Sequence, residues 1–260
     1  MTRASVVYGL LVATARLLYR VMGWRVEVVG GHLLPRTGPV VLVANHVSHV
    51  DPLYLAIAAA RHGRRLSFLG KREVFQHPVL GPLGRWSDQI EVDRGGLAGD
   101  AVGAAVGVLR RGGAVCVFAE GTISPSFVPA PPRPGAARIA VEASVPLVPV
   151  ALWGGQRIIT KGRNAFYTRR VVQTVRFGAP IIAEGSEDPR QLTARAWQQV
   201  MHLVEASTAA YPQAPSGPED RWWVPAHLGG TAPTVQEGLA LLAREEEARR
   251  RRRQAELGSD

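Results

Sequence analysis

The sequence predicts an α/β fold: a single domain whose central, mostly parallel sheet is flanked by helices. Three observations predict it. Short, continuous apolar runs at Val40 to Ala44, Ala114 to Phe118 and Leu147 to Trp153 read as strands buried on both faces. These runs alternate with helical segments, which is the signature of layered α/β architecture. Polar residues able to do chemistry (His46, Lys71, Arg94 and Glu120) fall at or just after predicted strand ends, the edge where open α/β sheets bind ligands.

In chain order, residues 4–22 carry apolar side chains at helical spacing, with Arg16 and Arg20 turned away from the apolar centre. Only about twelve residues precede Arg16 without a charge, short of the ~20 a membrane span needs. The segment therefore reads as an amphipathic helix, either lying on an anionic bilayer or packed on the domain; a cleaved signal ending near Ala13-Thr14-Ala15 is the weaker alternative. Arg25 to Val29 is a short strand. After the strand from Val40, Asp51-Pro52 reads as a helix N-cap followed by proline at the first helical position, opening the apolar segment Leu53 to Ala60. Arg64 to Gly70 is a strand. Val74 to Gly84, rich in Pro and Gly, is expected to be irregular. Gln89 to Arg94 alternates as a strand, Ala101 to Arg111 is a helix stopped by Gly112-Gly113, and five prolines between Pro125 and Pro134 dictate a loop. Gly135 to Ser144 is helical, with Arg138 and Glu142 at pairing distance. Val171 to Phe177 is a strand and Leu192 to Ala209 a helix. Trp222-Trp223, inside the Pro/Gly-rich stretch from Tyr211 to Pro233, is expected to pack over the domain. Val235 to Glu256 is a charged helix in which Glu245, Glu246 and Glu247 can pair with Arg249, Arg250 and Arg251. The expected organisation is a membrane-associating helix over 1–24, the main domain over 25–210, and an appended segment over 211–260.

The 260 residues suffice for a real core. The single cysteine, Cys116, forms no internal disulfide and lies in an apolar run, as an inert core thiol would. Net charge is +10, and residues 1–36 alone carry +4, so an anionic partner is expected. The C-terminal run of five arginines is nearly balanced by neighbouring acids, and no aromatic residues interleave with basic ones, so nucleic acid is not the expected partner. The chain lacks a phosphate-cradling glycine loop and a Gly-x-Ser-x-Gly elbow, which removes the commonest kinase and hydrolase readings.

The strand ending at Ala44 runs into Asn45-His46-Val47-Ser48-His49-Val50-Asp51. So short a loop can bring His46 and Asp51 together. A carboxylate on one imidazole nitrogen fixes the tautomer and leaves the other nitrogen free to take a proton. The alternatives are that Asp51 only caps a helix, that His46 is an ordinary loop histidine, or that both join His49 at a metal. The spacing does not favour a metal, and no resident metal is expected.

Taken in series, Asn45-His46-x4-Asp51, Lys71-x-Glu73, Val92-Asp93-Arg94, Phe118-Ala119-Glu120-Gly121-Thr122 and Val148-Pro149-Val150 resemble the glycerophospholipid acyltransferase family over about residues 25–185, and within it the bacterial 1-acyl-glycerol-3-phosphate acyltransferases. The resemblance implies transfer of an acyl group from a thioester on coenzyme A or acyl carrier protein to the hydroxyl of a lysophospholipid, with no other cofactor. It implies His46 as general base and Asp51 as its orienter, with no acyl-enzyme. Lys71 and Arg94 become ligands of the acceptor phosphate. Glu120, Gly121 and Thr122 become a substrate-binding block in which Glu120 orients the glycerol or a basic partner, and Pro146 and Pro149 shape the wall of an acyl pocket, the alternative being that they simply mark a strand edge. Separately, the apolarity of Val79, Leu80 and Leu83 in a segment expected to be irregular suggests an acyl channel. It further implies a peripheral protein on an anionic membrane, at the cytoplasmic face of the plasma membrane. The family's third block usually continues with Arg, where this chain has Ile123. That departure leaves the acceptor head group open: Arg94 or Arg138 can compensate, or the acceptor is another lysophospholipid, a glycolipid or another hydroxylated molecule. A non-catalytic lipid-binding protein is the remaining alternative.

Overall fold

The computed structural model describes residues 3–78, 80–92, 98–164, 168–185 and 187–257. Seven strands form one sheet: β1 (Arg25–Val29), β2 (Val40–Ala44), β3 (Leu66–Lys71), β4 (Ile90–Val92), β5 (Ala114–Phe118), β6 (Leu147–Trp153) and β7 (Val172–Phe177), in spatial order β1-β7-β6-β2-β5-β3-β4. The five strands from β6 to β4 run parallel, and β7 turns antiparallel to β6 with β1 parallel beside it. The carboxyl ends of β2, β3, β5 and β6 therefore share one edge.

Both faces of the sheet are covered, which is why the central strands read as unbroken apolar runs rather than alternating ones. Val40, Leu42 and Ala44 of β2 face one way, with Cys116, Val148 and Leu152, against helices α1 (Arg3–Met22) and α2 (Asp51–Arg61). Val41 and Val43 face the other way, with Val115, Val117, Leu147 and Ala151, against α5 (Ala98–Arg110), α6 (Gly135–Ala143) and α7 (Pro189–Ala209). Burial of the Cys116 thiol raises its pKa far above the usual thiol range, in keeping with an inert core residue.

Two expectations need correction. Residues 74–84 are not irregular: α3 (Arg72–Gln76) and α4 (Leu80–Trp86) occupy the stretch. Pro82 sits in the first turn of α4, where its missing N–H costs no helical bond. The glycines are there for proximity, since a Cβ on Gly81 would lie 2.0 Å from the Phe75 carbonyl oxygen and one on Gly84 3.0 Å from the Phe75 ring. Pro149 is also not at a strand edge. It lies inside β6, where the pairing with β7 breaks between Val150–Phe177 and the bridge of Leu147 to Ile181, so its lack of a donor is accommodated by a bulge.

One face of α1 buries Tyr8, Val12, Ala15 and Tyr19, a stripe at helical spacing. The Tyr8 hydroxyl accepts from the Leu66 N–H at 3.2 Å, and the Tyr19 hydroxyl donates to Gln173 Oε1 at 2.5 Å. The outward face leaves Leu10 and Leu17 each 63% exposed, with Val21 at 58%. By length and composition this helix could cross a membrane, although Arg16 and Arg20 sit in its last two turns and part of it is packed on the domain.

Past α7, the stretch from Tyr211 to Pro233 packs over the domain as expected. Trp223 is buried with Val47, Phe127, Trp153 and Ala232, and the Arg157 guanidinium stacks 4.4 Å from the Trp223 ring centre. The chain ends in α8 (Val235–Leu257), opened by a capping box: the Glu237 N–H reaches Thr234 Oγ1 at 3.2 Å, and the Thr234 N–H reaches Glu237 Oε2 at 2.8 Å. Arg250 pairs with Glu246 and Arg251 with Glu247 as the spacing predicts; Glu245 pairs with Lys161, and the Arg249 side chain expected to meet it lies outside the described residues.

Because Trp223 shares a buried cluster with Val47 of the loop that carries His46, the Tyr211–Pro233 stretch should unfold with the domain. Trp223→Ala is expected to lower the unfolding free energy by ~3–5 kcal/mol in urea titration, the cost of emptying a large aromatic site. A loss below about 1 kcal/mol would mean that the stretch is not part of the cooperative unit.

Candidate active site

His46 leaves β2 two residues past its end and enters a loop that the protein ties down on every side. The Asn45 side chain bridges to β6, donating to the Leu152 carbonyl at 3.0 Å and accepting from the Leu152 N–H at 2.8 Å. The His46 carbonyl accepts from the Ser124 N–H at 2.9 Å. Ser48 Oγ faces the carbonyls of Gly155 and Ile159 at 2.9 and 2.5 Å, and Thr160 Oγ1 donates to the Val47 carbonyl at 2.9 Å.

The expected contact between His46 and Asp51 is made: Nδ1 lies 2.8 Å from Oδ2. A carboxylate only accepts, so Nδ1 carries the proton and Nε2 is the free, basic nitrogen. Asp51 does more than was read from the sequence. Its Oδ2 also accepts the N–H groups of Val47 at 2.7 Å and Ser48 at 2.9 Å, and its Oδ1 accepts the Tyr54 hydroxyl at 2.8 Å. The side chain is 0% exposed, so these donors are what makes the buried charge tolerable. The reading of Asp51 as the N-cap of α2 is therefore corrected. Val50 holds that position, Asp51 and Pro52 are already helical, and the carboxylate turns back to the preceding loop. The N–H groups of Leu53 and Tyr54 are satisfied by the Val50 carbonyl instead. Close behind stands Gly155, where a Cβ would lie 3.0 Å from Asp51 Oδ1 and 2.9 Å from both Ser48 and Tyr54, so no larger residue fits without displacing the network.

The His46 ring stacks on Phe118, with centroids 4.2 Å apart and planes at 19°, and the imidazole remains 17% exposed. The ring is thus oriented by a hydrogen bond at one edge and by an aromatic face beneath, with an opening to solvent.

Glu120 is buried two residues past β5, and both of its oxygens hold backbone: Oε1 accepts the His46 N–H at 2.8 Å and Oε2 the Ala130 N–H at 2.9 Å. In this structure it positions the two loops that frame the site. Gly121 adopts φ +69°, the left-handed region open to glycine at least cost. Thr122 Oγ1 accepts from Lys161 Nζ at 3.2 Å. Lys71 closes β3 at the same sheet edge; its side chain, Arg94 and Val79 lie outside the described residues, as does the Leu80 side chain. Ile123 is buried, and Arg138 is exposed on α6. Among the described residues, no three His, Cys, Asp or Glu side chains converge as a metal site. Sequence reasoning missed Tyr54, Ser48, Phe118 and Gly155. Only Tyr54, one helical turn after Asp51, left a readable signal in its spacing.

Burial pushes the Glu120 carboxyl up to about 8, although its two backbone donors pull the other way. A carboxyl raised above its unfolded value costs no stability below about pH 4.5, where both states are protonated, and costs progressively more as pH rises toward 8. Wild-type stability should therefore fall through this window relative to Glu120→Gln, by an amount on the order of a few kcal/mol. Urea unfolding of both proteins at pH 5 and pH 8.5 checks it, and parallel pH slopes would refute it.

Known proteins resemble this chain in sequence and in fold. A model of the Acyltransferase family matches residues 25–153. A probable 1-acyl-sn-glycerol-3-phosphate acyltransferase of Mycoplasma genitalium is 34% identical over 138 residues, 52% of this chain and 51% of that protein. The 1-acyl-sn-glycerol-3-phosphate acyltransferase alpha of Mus musculus is 34% identical over 181 residues, 68% of this chain and 60% of that protein. The chain thus spans between about half and three fifths of the length of these relatives. The crystal structure of the 1-acyl-sn-glycerophosphate acyltransferase of Thermotoga maritima superposes with a TM-score of 0.68 at 25% identity, covering 81% of this chain and 83% of that one. Residues 25–153, which hold β1 to β6 and the His46–Asp51 loop, thus form a domain of the acyltransferase family.

Proposed function

We propose that the protein transfers a fatty acyl group from acyl-coenzyme A or acyl carrier protein to the free sn-2 hydroxyl of 1-acyl-glycerol-3-phosphate, giving phosphatidic acid. The observation that carries this reading is the half-open imidazole of His46, fixed by a fully buried carboxylate at the carboxyl edge of the sheet. Nε2 takes the hydroxyl proton as the substrate oxygen attacks the thioester carbonyl carbon. The tetrahedral intermediate collapses with cleavage of the C–S bond, and the imidazolium returns the proton to the departing sulfur. Asp51 keeps the imidazole in the required tautomer and stabilises its charged form. No side-chain nucleophile enters, so no acyl-enzyme forms, and the thioester is a co-substrate rather than a bound cofactor. The names borne by the matched relatives support the same acceptor class. The buried Ile123, where the family block usually carries Arg, favours a second reading in which the acceptor is a different lysophospholipid or another hydroxylated lipid.

The protein acts, on this reading, at an anionic membrane surface, as a peripheral protein on the cytoplasmic face of the plasma membrane. Support comes from the outward Leu10, Leu17 and Val21 of α1 beside a cleft of about 410 Å³ whose lining includes Arg16, Arg20, Arg25 and Arg61. Apolar insertion next to clustered guanidinium groups is what an acidic bilayer recognises.

Two measurements test these statements. Acceptor-dependent release of free thiol from acyl-coenzyme A with lysophosphatidic acid should fall by ~10²–10⁴ in His46→Ala, the usual worth of a positioned base; undiminished turnover ends the general-base claim. Substituting Leu10, Leu17 and Val21 together by Glu should release the folded protein from phosphatidylglycerol vesicles in a sedimentation assay. These side chains are exposed, so the fold is retained, and unchanged sedimentation would assign α1 a purely structural role.

A further inference from the structure

The turn Glu120-Gly121-Thr122 lies beside His46, whose N–H it holds through Glu120. The next residue, Ile123, is buried and brings no charge to this turn. Two cations reach the turn from elsewhere in the chain. Arg133 comes from the proline-rich loop, anchored by its N–H on the Ala119 carbonyl at 2.8 Å, and its Nε lies 3.3 Å from where a Cβ on Gly121 would be. Its side chain forms no ion pair with any described residue. Lys161 follows β6, with its neighbour Thr160 fixed on the Val47 carbonyl, and its ammonium donates to Thr122 Oγ1 at 3.2 Å. An ammonium and a guanidinium thus reach adjacent residues, Thr122 and Gly121, of the turn that Glu120 ties to the His46 backbone.

An anion from the protein itself already sits there. The Glu245 carboxylate of α8 pairs with Lys161 across 84 residues of sequence. Its two neighbours, Glu246 and Glu247, pair within the helix at i,i+4. Close docking of α8 puts Glu245 in reach: a Cβ on Gly238 would lie 3.3 Å from the Ser126 side chain.

We propose that Arg133 and Lys161 form a phosphate seat over Thr122, which Glu245 fills when no substrate is present and yields when a phosphate group arrives. The proposal rests on the acyltransferase reading above and extends it to residues outside the family blocks. A half-exposed carboxylate–ammonium pair is weak and readily exchanged. A phosphate monoester carries close to two negative charges and three acceptor oxygens, so it can satisfy Lys161 and Arg133 together. The phosphate can belong to the lysophospholipid acceptor or to the coenzyme A donor. Both present the same chemistry, and kinetics distinguish them.

The experiment varies lysophosphatidic acid and acyl-coenzyme A independently for the full-length wild type, Lys161→Met, Lys161→Arg, Arg133→Gln and Glu245→Gln. Loss of either cation should raise one substrate's KM about tenfold or more, the size expected for a charge-assisted hydrogen bond, with a much smaller change in kcat. Lys161→Arg should recover most of that loss, and Glu245→Gln should lower the same KM. A rise confined to the acceptor assigns the seat to the lipid head group; a rise confined to the donor assigns it to the coenzyme. Equal rises for both substrates, or a fall in kcat with both KM values unchanged, would overturn the seat. A rise in KM for Glu245→Gln would overturn the internal occupant. Titration calorimetry with sn-glycerol 3-phosphate separates this proposal from the enzymatic reading, because it needs no turnover. Binding should weaken in Lys161→Met and tighten in Glu245→Gln even if no acyl transfer is detected. Equal binding by wild type and Lys161→Met, or none by wild type and Glu245→Gln alike, refutes the seat.

Discussion

A single carboxylate with no access to water dictates the shape of the site. Asp51 can remain charged inside the protein only if donors surround it, and here four converge: two backbone N–H groups, a phenol and an imidazole. Meeting that demand folds residues 46–48 around the start of α2 and holds the His46 ring in one orientation. The demand also reaches beyond the loop. Gly155 must lack a side chain, and Ser48 and Thr160 must bind the segment after β6 to the one after β2. Glu120 contributes separately from the end of β5, holding the His46 backbone rather than its ring. Three neighbouring strands thus end in loops that constrain one another, and a change in any of them is felt at the imidazole.

Much of this fold was legible because burial on both faces of a parallel sheet leaves an apolar signature too dense for a surface strand. Val40 to Ala44 and Ala114 to Phe118 pair in full register, one buried run against another. Placement of reactive residues at strand ends was legible for the same reason, since each apolar run stops where the sheet does. What the sequence hid was of two kinds. Residues 74–84 look irregular in the sequence because they are rich in Pro and Gly, whereas Gly81 and Gly84 are there to admit Phe75. Long-range partners left no local trace: nothing near Glu120 announces that its oxygens will be taken by His46 and Ala130, or that Glu245 will meet Lys161 from 84 residues away.

The basic excess of the chain is distributed in a way that composition alone could not reveal. One group of arginines surrounds the cleft between α1 and β1, beside exposed apolar side chains. A smaller set of cations stands at the Glu120-Gly121-Thr122 turn, next to the imidazole. In α8, by contrast, Arg250 and Arg251 are matched by their own neighbouring acids. Charges of one sign thus serve separate regions of the molecule, and the total of +10 describes none of them.

The anchoring of α1 has a mechanical consequence. Tyr8 near its beginning is fastened to β3, and Tyr19 near its end is fastened to β7, strands on opposite sides of the sheet's centre. A helix riveted at two points cannot swivel like a tether. Whatever surface receives its outward leucines must take the α/β body in one fixed attitude, with the mouth above His46 held at a constant tilt and height.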